Sequence, residues 1–584
     1  MLERLPTFAR TWLADGKLVL LAAYLALDHA AIGDRITSLG LSPQLGAWAV
    51  LYALLAAALA AAAYIPQALP RVVVAAILAA GSVALHSYEW TTVSPLDYAS
   101  FETMLASRGD AGSAMAQHGG VLLKAVGAAL VLFAALALPP RGRTLPPGLA
   151  WAMPCAALIG LSGLLYARGG EGSRALPAAF TPVAYSAIKG ALLLTDENAP
   201  REQVAVSPSG SAPTRDIVLI VDESIAANYL DINHPRGVYS GLAEERPGFA
   251  IFNYGIAASV TNCSAGSNKS LRFGGRRANF REVGRRSPSI WAFAMNAGYR
   301  TVYLDGQRMG GELQNLKTAD ERAEIDDFVQ LDADVAVVDR DHELARLLAE
   351  RIGNGIPEFI YVNKVGAHFP VADKFPLEAA KFLPIPERGR TAGIIDMGPV
   401  HGRHRGTAEE WRLYRNAYRN TLIWNVGGFF DRLLPSIDPA DAVIIYTADH
   451  GQDLHERGNP GKGTHCTNDP LPEEGAVPLV VIDDAAAPGL AWDAHHAGLR
   501  DAASHFRIFP TLLELMTYPL PEMAATYGPS LNSAGPDRLA FTPDYFAMLG
   551  REPSWRTFER TSLAEPPAAD RASMAAAGEA PERR

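Results

Sequence analysis

IVLIVDES, residues 217–224, is a run of five apolar residues closed by two acids and a serine. Five apolar residues suit a strand buried on both faces and are too few for an ordinary helix. Similar runs recur at TVYL (301–304), FIYV (359–362), AVIIY (442–446) and PLVVI (478–482). Between them lie stretches of helical periodicity such as TAEEWRLYRNAYRNTLIWNVGGFFDRLL (407–434). Short buried strands alternating with helices predict an α/β domain with a mostly parallel central sheet. In such sheets ligands sit beyond the carboxyl ends of the strands, which is where Asp222 and Glu223 fall.

Toward the N-terminus the composition changes. The chain has 584 residues with 52 basic and 62 acidic side chains, yet only 17 of these charges lie in residues 1–167. Five stretches there, near 12–32, 46–65, 71–90, 119–138 and 148–167, approach the roughly 20 apolar residues that cross a bilayer core about 30 Å thick. The clearest is GAWAVLYALLAAALAAAAYI (46–65), which carries no charge. The first is the weakest, with Lys17, Asp28 and His29 toward its ends. A multi-pass α-helical membrane domain of five helices over 1–167 is therefore expected ahead of the α/β domain. Arg4, Arg10, Arg71, Arg141 and Arg143 sit in the loops that would face the cytoplasm, because basic residues are retained inside. Five crossings then place everything after Ala167 outside, the periplasm of a bacterial inner-membrane protein.

Residues 168–214 combine a weakly apolar stretch, 180–194, expected as a helix at the membrane surface, with a Pro/Ser/Gly-rich linker. Residues 215–551 form the expected periplasmic domain, and 552–584 lack periodic apolar residues and read as a disordered tail. A formal net charge of −10 without a long basic run leaves no footprint for nucleic acid. Three cysteines without CxxC spacing exclude a disulfide scaffold or a structural zinc site, so metal chemistry must rest on His and carboxylates.

Three segments carry potential chemistry. Asp222 and Glu223 end the first strand, Asp449 and His450 follow AVIIY in AVIIYTADHG, and VTNCSAGSNKSLRFGG supplies a Gly/Ser-rich turn before a helix. Each alone is an ordinary turn or capping motif. Their joint occurrence at strand ends in one domain points to a site.

That combination resembles the alkaline phosphatase and sulfatase superfamily, in particular its membrane-anchored phosphoethanolamine and phosphoglycerol transferases. The resemblance implies an alkaline-phosphatase-like catalytic domain in which Glu223, Ser264, Asp449 and His450 hold one divalent metal. Ser264 is the implied nucleophile, since SAGSNKSLRFG fits the family's nucleophile pattern with Leu271 and Gly274 at the matching offsets. Ser267 is the second choice and Thr261 the third. The match departs from the transferases' Cys-Gly-Thr at Cys263-Ser264-Ala265. His368 in NKVGAHFP and His465 in GKGTHC occupy family-like positions, for a second metal, leaving-group protonation or phosphate binding. SHFRIFPTLLEL (504–515) is similar to the superfamily's late helix. Asp222 could be a further ligand or a supporting group, and Lys364 and Asn268 could contact phosphate. Cys263 and Cys466 adjoin Ser264 and His465, so a disulfide between them is expected.

An anionic phosphodiester repels an anionic nucleophile, so a divalent metal must lower the cost of the alkoxide and neutralise the phosphate oxygens. Carboxylate with imidazole suits zinc first and manganese second, whereas calcium prefers all-oxygen shells. The implied reaction transfers phosphoethanolamine from a phospholipid to lipid A, lipopolysaccharide core or another envelope glycan through a phospho-enzyme. The competing readings are a phosphoglycerol transferase, a phosphodiesterase or sulfatase hydrolase, and an inactive membrane sensor or scaffold.

Overall fold

The computed structural model describes residues 16–92, 95–106, 111–140, 145–194, 200–210, 212–307, 311–388, 406–458, 463–467, 469–543, 549 and 552–568. They divide into two compact units, one built from residues 1–198 and one from most of residues 199–584.

Among the described residues of the first unit, four helices are long and apolar enough to cross a membrane: Pro43–Ala62, Ala68–Thr91, Gly119–Ala137 and Pro147–Ala167. The expected single helix over 12–32 is not continuous. Residues 12–15 lie outside the described residues; beyond them a ten-residue helix, Lys17–Ala26, ends at Leu27, and a second, His29–Leu39, starts after Asp28. Asp28 caps neither helix with its side chain; its carboxylate instead lies 3.2 Å from Nε2 of the buried His86. Buried Lys17 donates through Nζ to the carbonyls of Ala63, Leu136 and Leu138, and Arg71 to those of Ile65 and Ala137. Both cations thus meet carbonyls that helix ends leave without partners. The apolar stretch near 180–194 forms the helix Thr181–Leu193, which buries Ala184, Tyr185 and Ile188.

The second unit is built on a seven-stranded sheet of β1 (Asp216–Asp222), β2 (Phe249–Ala258), β3 (Arg300–Asp305), β4 (Asp327–Gln330), β5 (Glu358–Asn363), β6 (Ala442–Ala448) and β7 (Ala476–Asp484). Their order across the sheet is β2-β7-β6-β1-β5-β3-β4. The five from β6 to β4 run parallel, and β7 pairs antiparallel with both β6 and β2. All seven residues of β1 are buried, as helices on both faces of a parallel sheet require. The five expected strands are all present. Strands β2 and β4 are additions: β2 is broken by a bulge between Asn253 and Ile256, and β4 is a four-residue edge strand. Gly255 in that bulge has φ +74°, and a Cβ there would lie 2.2 Å from Oδ1 of Asp501.

The helical stretch 407–434 starts with a capping box, Thr407 with Glu410, over Ala408–Leu422. It passes through a π-helical turn at Ile423–Gly427 before resuming at Gly428–Leu433. Two expectations at the edges of this unit are corrected. The linker over 200–210 is held to the unit by backbone bonds from Glu202 N to Arg286 O and from Ser209 N to Thr517 O, each 2.8 Å. The tail is packed as far as it is described: Arg556–Thr557 pairs with Ala540–Phe541, Phe558 is buried, and Ala564 N donates to Oε1 of Glu473 at 2.6 Å. A few buried apolar side chains suffice where backbone groups find partners, so absence of periodicity did not mean disorder. Residues 569–584 lie outside the described residues.

Candidate active site

Register places the site. Asp222 at the end of β1 pairs with Ala448 at the end of the parallel neighbour β6, so the residues that follow each strand emerge side by side. The backbone locks them together: Asp449 N donates to Asp222 O at 2.9 Å, and Ser224 N to Oδ1 of Asp449 at 3.1 Å. Ser224 takes a left-handed backbone, φ 60°, an uncommon conformation for a non-glycine residue. Its hydroxyl donates to Oε1 of Glu223 at 2.8 Å, and Tyr418 OH donates to its carbonyl at 2.8 Å.

Ser264 opens the helix Ser264–Phe273, whose N-cap is Cys263. Its Oγ lies 3.2 Å from both carboxylate oxygens of Glu223 and 3.2 Å from Nε2 of His450. Ser267 faces elsewhere: buried, its Oγ accepts from Thr261 N at 3.2 Å and donates to Thr261 O at 3.1 Å. Thr261 is spent on the same turn, donating through Oγ1 to Cys263 O at 2.7 Å. Of the three hydroxyls weighed, Ser264 alone meets the acidic residues at a helix N-terminus, whose free N–H groups attract an anion.

Glu223, Asp449 and His450 are all buried, and each offers one ligand atom within 4.8 Å of the others. Nδ1 of His450 lies 2.7 Å from the carbonyl of Gly451, which keeps a proton on Nδ1 and turns Nε2 toward Ser264 and Glu223. Burial and then the adjacent Glu223 charge push the Asp449 carboxyl well above its ordinary range. Burial also opposes ionisation of Glu223, but the hydrogen bond and charge of His450 outweigh it and hold the carboxyl well down. Burial alone would lower His450, yet Asp449 and Glu223 raise it to about 9. Oδ2 of Asp449 is buried without a hydrogen-bond partner. Two crowded carboxylates, one orphaned oxygen and an inward-facing Nε2, whose proton a metal would displace, form a mixed N/O set that fits a divalent zinc or manganese ion.

The two further histidines border this set. The ring of His465 stacks on His450 with centroids 4.6 Å apart, and burial together with the His450 charge pushes it down to about 3. His368 stacks on Phe369, with Nδ1 2.8 Å from the Phe369 carbonyl. Burial lowers it as well, against the pull of the nearby Glu223 charge. Both are neutral imidazoles, which suits a ligand or hydrogen-bonding role better than leaving-group protonation.

Asp222 supports the site from behind. Its Oδ1 accepts from Glu223 N at 3.1 Å, and its Oδ2 from Lys364 Nζ at 2.6 Å and Tyr446 OH at 3.1 Å. Lys364, expected at phosphate, is fully buried in that ion pair and also donates to Asn425 O at 2.8 Å, in the π-helical turn. Asn268 is likewise internal, donating to Ser264 O at 3.0 Å and accepting from Tyr361 OH at 2.6 Å. Removing one partner of a buried pair strands the other charge, so Lys364→Met should cost about 3–5 kcal/mol of stability. Denaturant unfolding of the full chain checks this, and an unchanged midpoint would contradict the pairing.

Sequence reasoning missed Gln307. Its Nε2 donates to Oε2 of Glu223 and to Lys364 O, each at 3.0 Å. The available signal was its place two residues past β3, beyond the carboxyl end of a strand already recognised.

Cys263 and Cys466 form a disulfide across a sequence separation of 203 residues. Cys466 N also donates to Asn262 O at 2.9 Å, so the bridge ties the cap of the Ser264 helix to the His465 loop. The denatured, unreduced chain should show one free thiol, Cys155. Replacing both bridged cysteines with serine should lower stability by about 2–5 kcal/mol, measured by thermal unfolding with and without reductant.

The sequence profile of the family described as Sulfatase matches residues 215–518. Among solved structures, the integral membrane lipooligosaccharide phosphoethanolamine transferase A (EptA) from Neisseria meningitidis is 18% identical with a TM-score of 0.61, covering 86% of this chain and 95% of that one. The C-terminal periplasmic domain of EcEptC from Escherichia coli, solved in complex with Zn, is 16% identical with a TM-score of 0.45, covering 59% and 94%. The likeness to the first is one of fold. No curated protein matches the chain.

Proposed function

The chain belongs to the sulfatase family, and from that premise we propose that it transfers phosphoethanolamine from a phospholipid to a periplasmic acceptor such as lipid A, lipopolysaccharide core or another envelope glycan. The observation that carries the proposal is the placement of Ser264 Oγ at 3.2 Å from Glu223 and His450 at a helix N-terminus. A fold shared along most of its length with a lipooligosaccharide phosphoethanolamine transferase, membrane helices included, supports the choice of donor and acceptor. A periplasmic second unit belongs to the same reading, which keeps the site near lipid head groups.

Glu223, Asp449, His450 and Ser264 would hold the divalent cation, zinc before manganese. When bound, it supplies charge that lowers the cost of the serine alkoxide and offsets the phosphate oxygens. Ser264 Oγ attacks phosphorus, forming the Ser264 O–P bond as the bond to the diacylglycerol oxygen breaks. Glu223 takes the serine proton and the same proton is passed to the departing diacylglycerol oxygen, so proton and charge balance in this half. The acceptor oxygen then displaces Ser264 from phosphorus and the hydroxyl is restored. Gln307 and Ser224 orient Glu223 throughout, and the N–H groups of the Ser264 helix face the phosphate.

The test uses the full chain in detergent with phosphatidylethanolamine labelled in its head group. A labelled phospho-enzyme that discharges to lipooligosaccharide is the expected result. Labelling from phosphatidylglycerol alone, or release of free phosphoethanolamine without transfer, would replace the proposal by the phosphoglycerol transferase or hydrolase reading; no labelling from either lipid would leave a non-catalytic sensor.

A further inference from the structure

A basic feature lies at the far end of the helix that begins with Ser264. Beyond its C-terminal Gly274 the chain reads GRRANF, 275–280. Arg276 and Arg277 line a cavity of about 290 Å³ together with Phe506, Arg507, Tyr527 and Asp537. The cavity holds three guanidinium groups and one carboxylate. That carboxylate is committed elsewhere: Asp537 lies 3.1 Å from Nε of Arg507 and accepts from Ser504 Oγ at 2.6 Å. Arg507 spends its remaining donors on the carbonyls of Ser530, Ser533 and Gly535.

The other two arginines differ. Arg277 lies over the rings of Phe506 and Trp555, 5.6 Å from each centroid, and donates through Nη2 to Arg538 O. Its Nε is buried with no hydrogen-bond partner. The stem of Arg276 packs against Gly528, and its side chain is exposed. Among the described residues no carboxylate is paired with either one. An aromatic-backed guanidinium without a carboxylate partner, beside an exposed one, offers the fork geometry that phosphate accepts. Aromatic walls suit the apolar face of a sugar ring.

We propose that this cavity binds a phosphorylated sugar unit of the acceptor, with Arg276 and Arg277 on its phosphate. The inference rests on the transferase reading for its biological role, though not for binding itself. A ten-residue helix is about 15 Å long, so the group held here is not the reacting one. It anchors a second phosphate of an extended, multiply phosphorylated acceptor while another part reaches Ser264.

The test has one arm without turnover and one with it. Binding of glucosamine 6-phosphate, glucosamine and inorganic phosphate to the full-length chain is compared by titration calorimetry, for wild type, Arg276→Glu and Arg277→Met. Arg276 is exposed, so its variant folds; Arg277→Met keeps an apolar stem over Phe506. The sugar phosphate should bind wild type more tightly than either component, and each variant should bind it roughly tenfold or more weakly, the loss of a charge-assisted hydrogen bond. No binding to wild type, equal binding to Arg276→Glu, or inorganic phosphate binding as well as the sugar phosphate would each overturn the proposal. In the second arm, Arg276→Glu should raise the acceptor KM while phospho-enzyme formation from the donor is unchanged. Normal phospho-enzyme with an unchanged acceptor KM would sink the anchoring role alone, whereas wild type that forms no phospho-enzyme would sink the transferase reading and leave the binding result standing.

Discussion

Ser264→Ala should abolish the covalent phospho-enzyme and lower turnover roughly a thousandfold or more, the scale on which removal of an enzyme nucleophile acts. Ser267→Ala should retain the intermediate. The two serines lie one helical turn apart, yet their surroundings assign opposite roles. The Ser264 hydroxyl meets the Glu223 carboxylate and the His450 Nε2 at 3.2 Å, so its proton has somewhere to go on Glu223. The Ser267 hydroxyl closes a local loop with the backbone of Thr261; truncating it leaves a buried N–H without a partner and costs about 1–3 kcal/mol. Ser267→Ala is therefore a stability variant with a working nucleophile, and Ser264→Ala a stable protein without one. Mass spectrometry of the chain trapped with phosphatidylethanolamine separates them. Intermediate on Ser264→Ala, or its loss only in Ser267→Ala at normal folding, would reverse the assignment.

What the sequence revealed, and what it concealed, follows from the range of the forces involved. The five strands legible in advance are apolar runs whose burial is written residue by residue. β2 was not, because Asn253, Tyr254 and Gly255 sit in its bulge and interrupt the apolar pattern; β4 is too short to carry one. Glu223, Asp449 and His450 could be located because each follows a recognisable strand, and the register of β1 on β6 does the rest. Partners chosen by tertiary packing left no local trace. Nothing in NKVGAH says that Lys364 turns back to Asp222 and to a π-helical carbonyl rather than out to phosphate. Likewise Asp28 marked the first apolar stretch as the weakest of the five, but its partner His86 lies 58 residues away.

Asp449→Asn should remove the divalent ion while leaving the apo fold intact or firmer. In the metal-free chain the Asp449 carboxyl is buried beside Glu223, with Oδ2 unpartnered and its acidity suppressed. An amide of the same shape keeps the oxygen that accepts from Ser224 N and His450 N, and offers Glu223 a donor without holding a carboxyl away from its ordinary ionisation. Chelator-treated Asp449→Asn should therefore melt at or above chelator-treated wild type at neutral pH, since the amide removes the cost of keeping a buried carboxyl protonated above its unfolded range. The order should invert with metal present. Wild type with zinc at about a thousand times its Kd gains about 4 kcal/mol from binding, and the variant gains little. Elemental analysis of the purified full chain should find about one divalent ion per wild-type molecule and a small fraction of that in Asp449→Asn, with Glu223→Gln following the same pattern. Wild type that carries no ion and whose melting is indifferent to both chelator and zinc would mean that these three side chains meet for another reason, and the reaction assigned to Ser264 would lose its charge compensation.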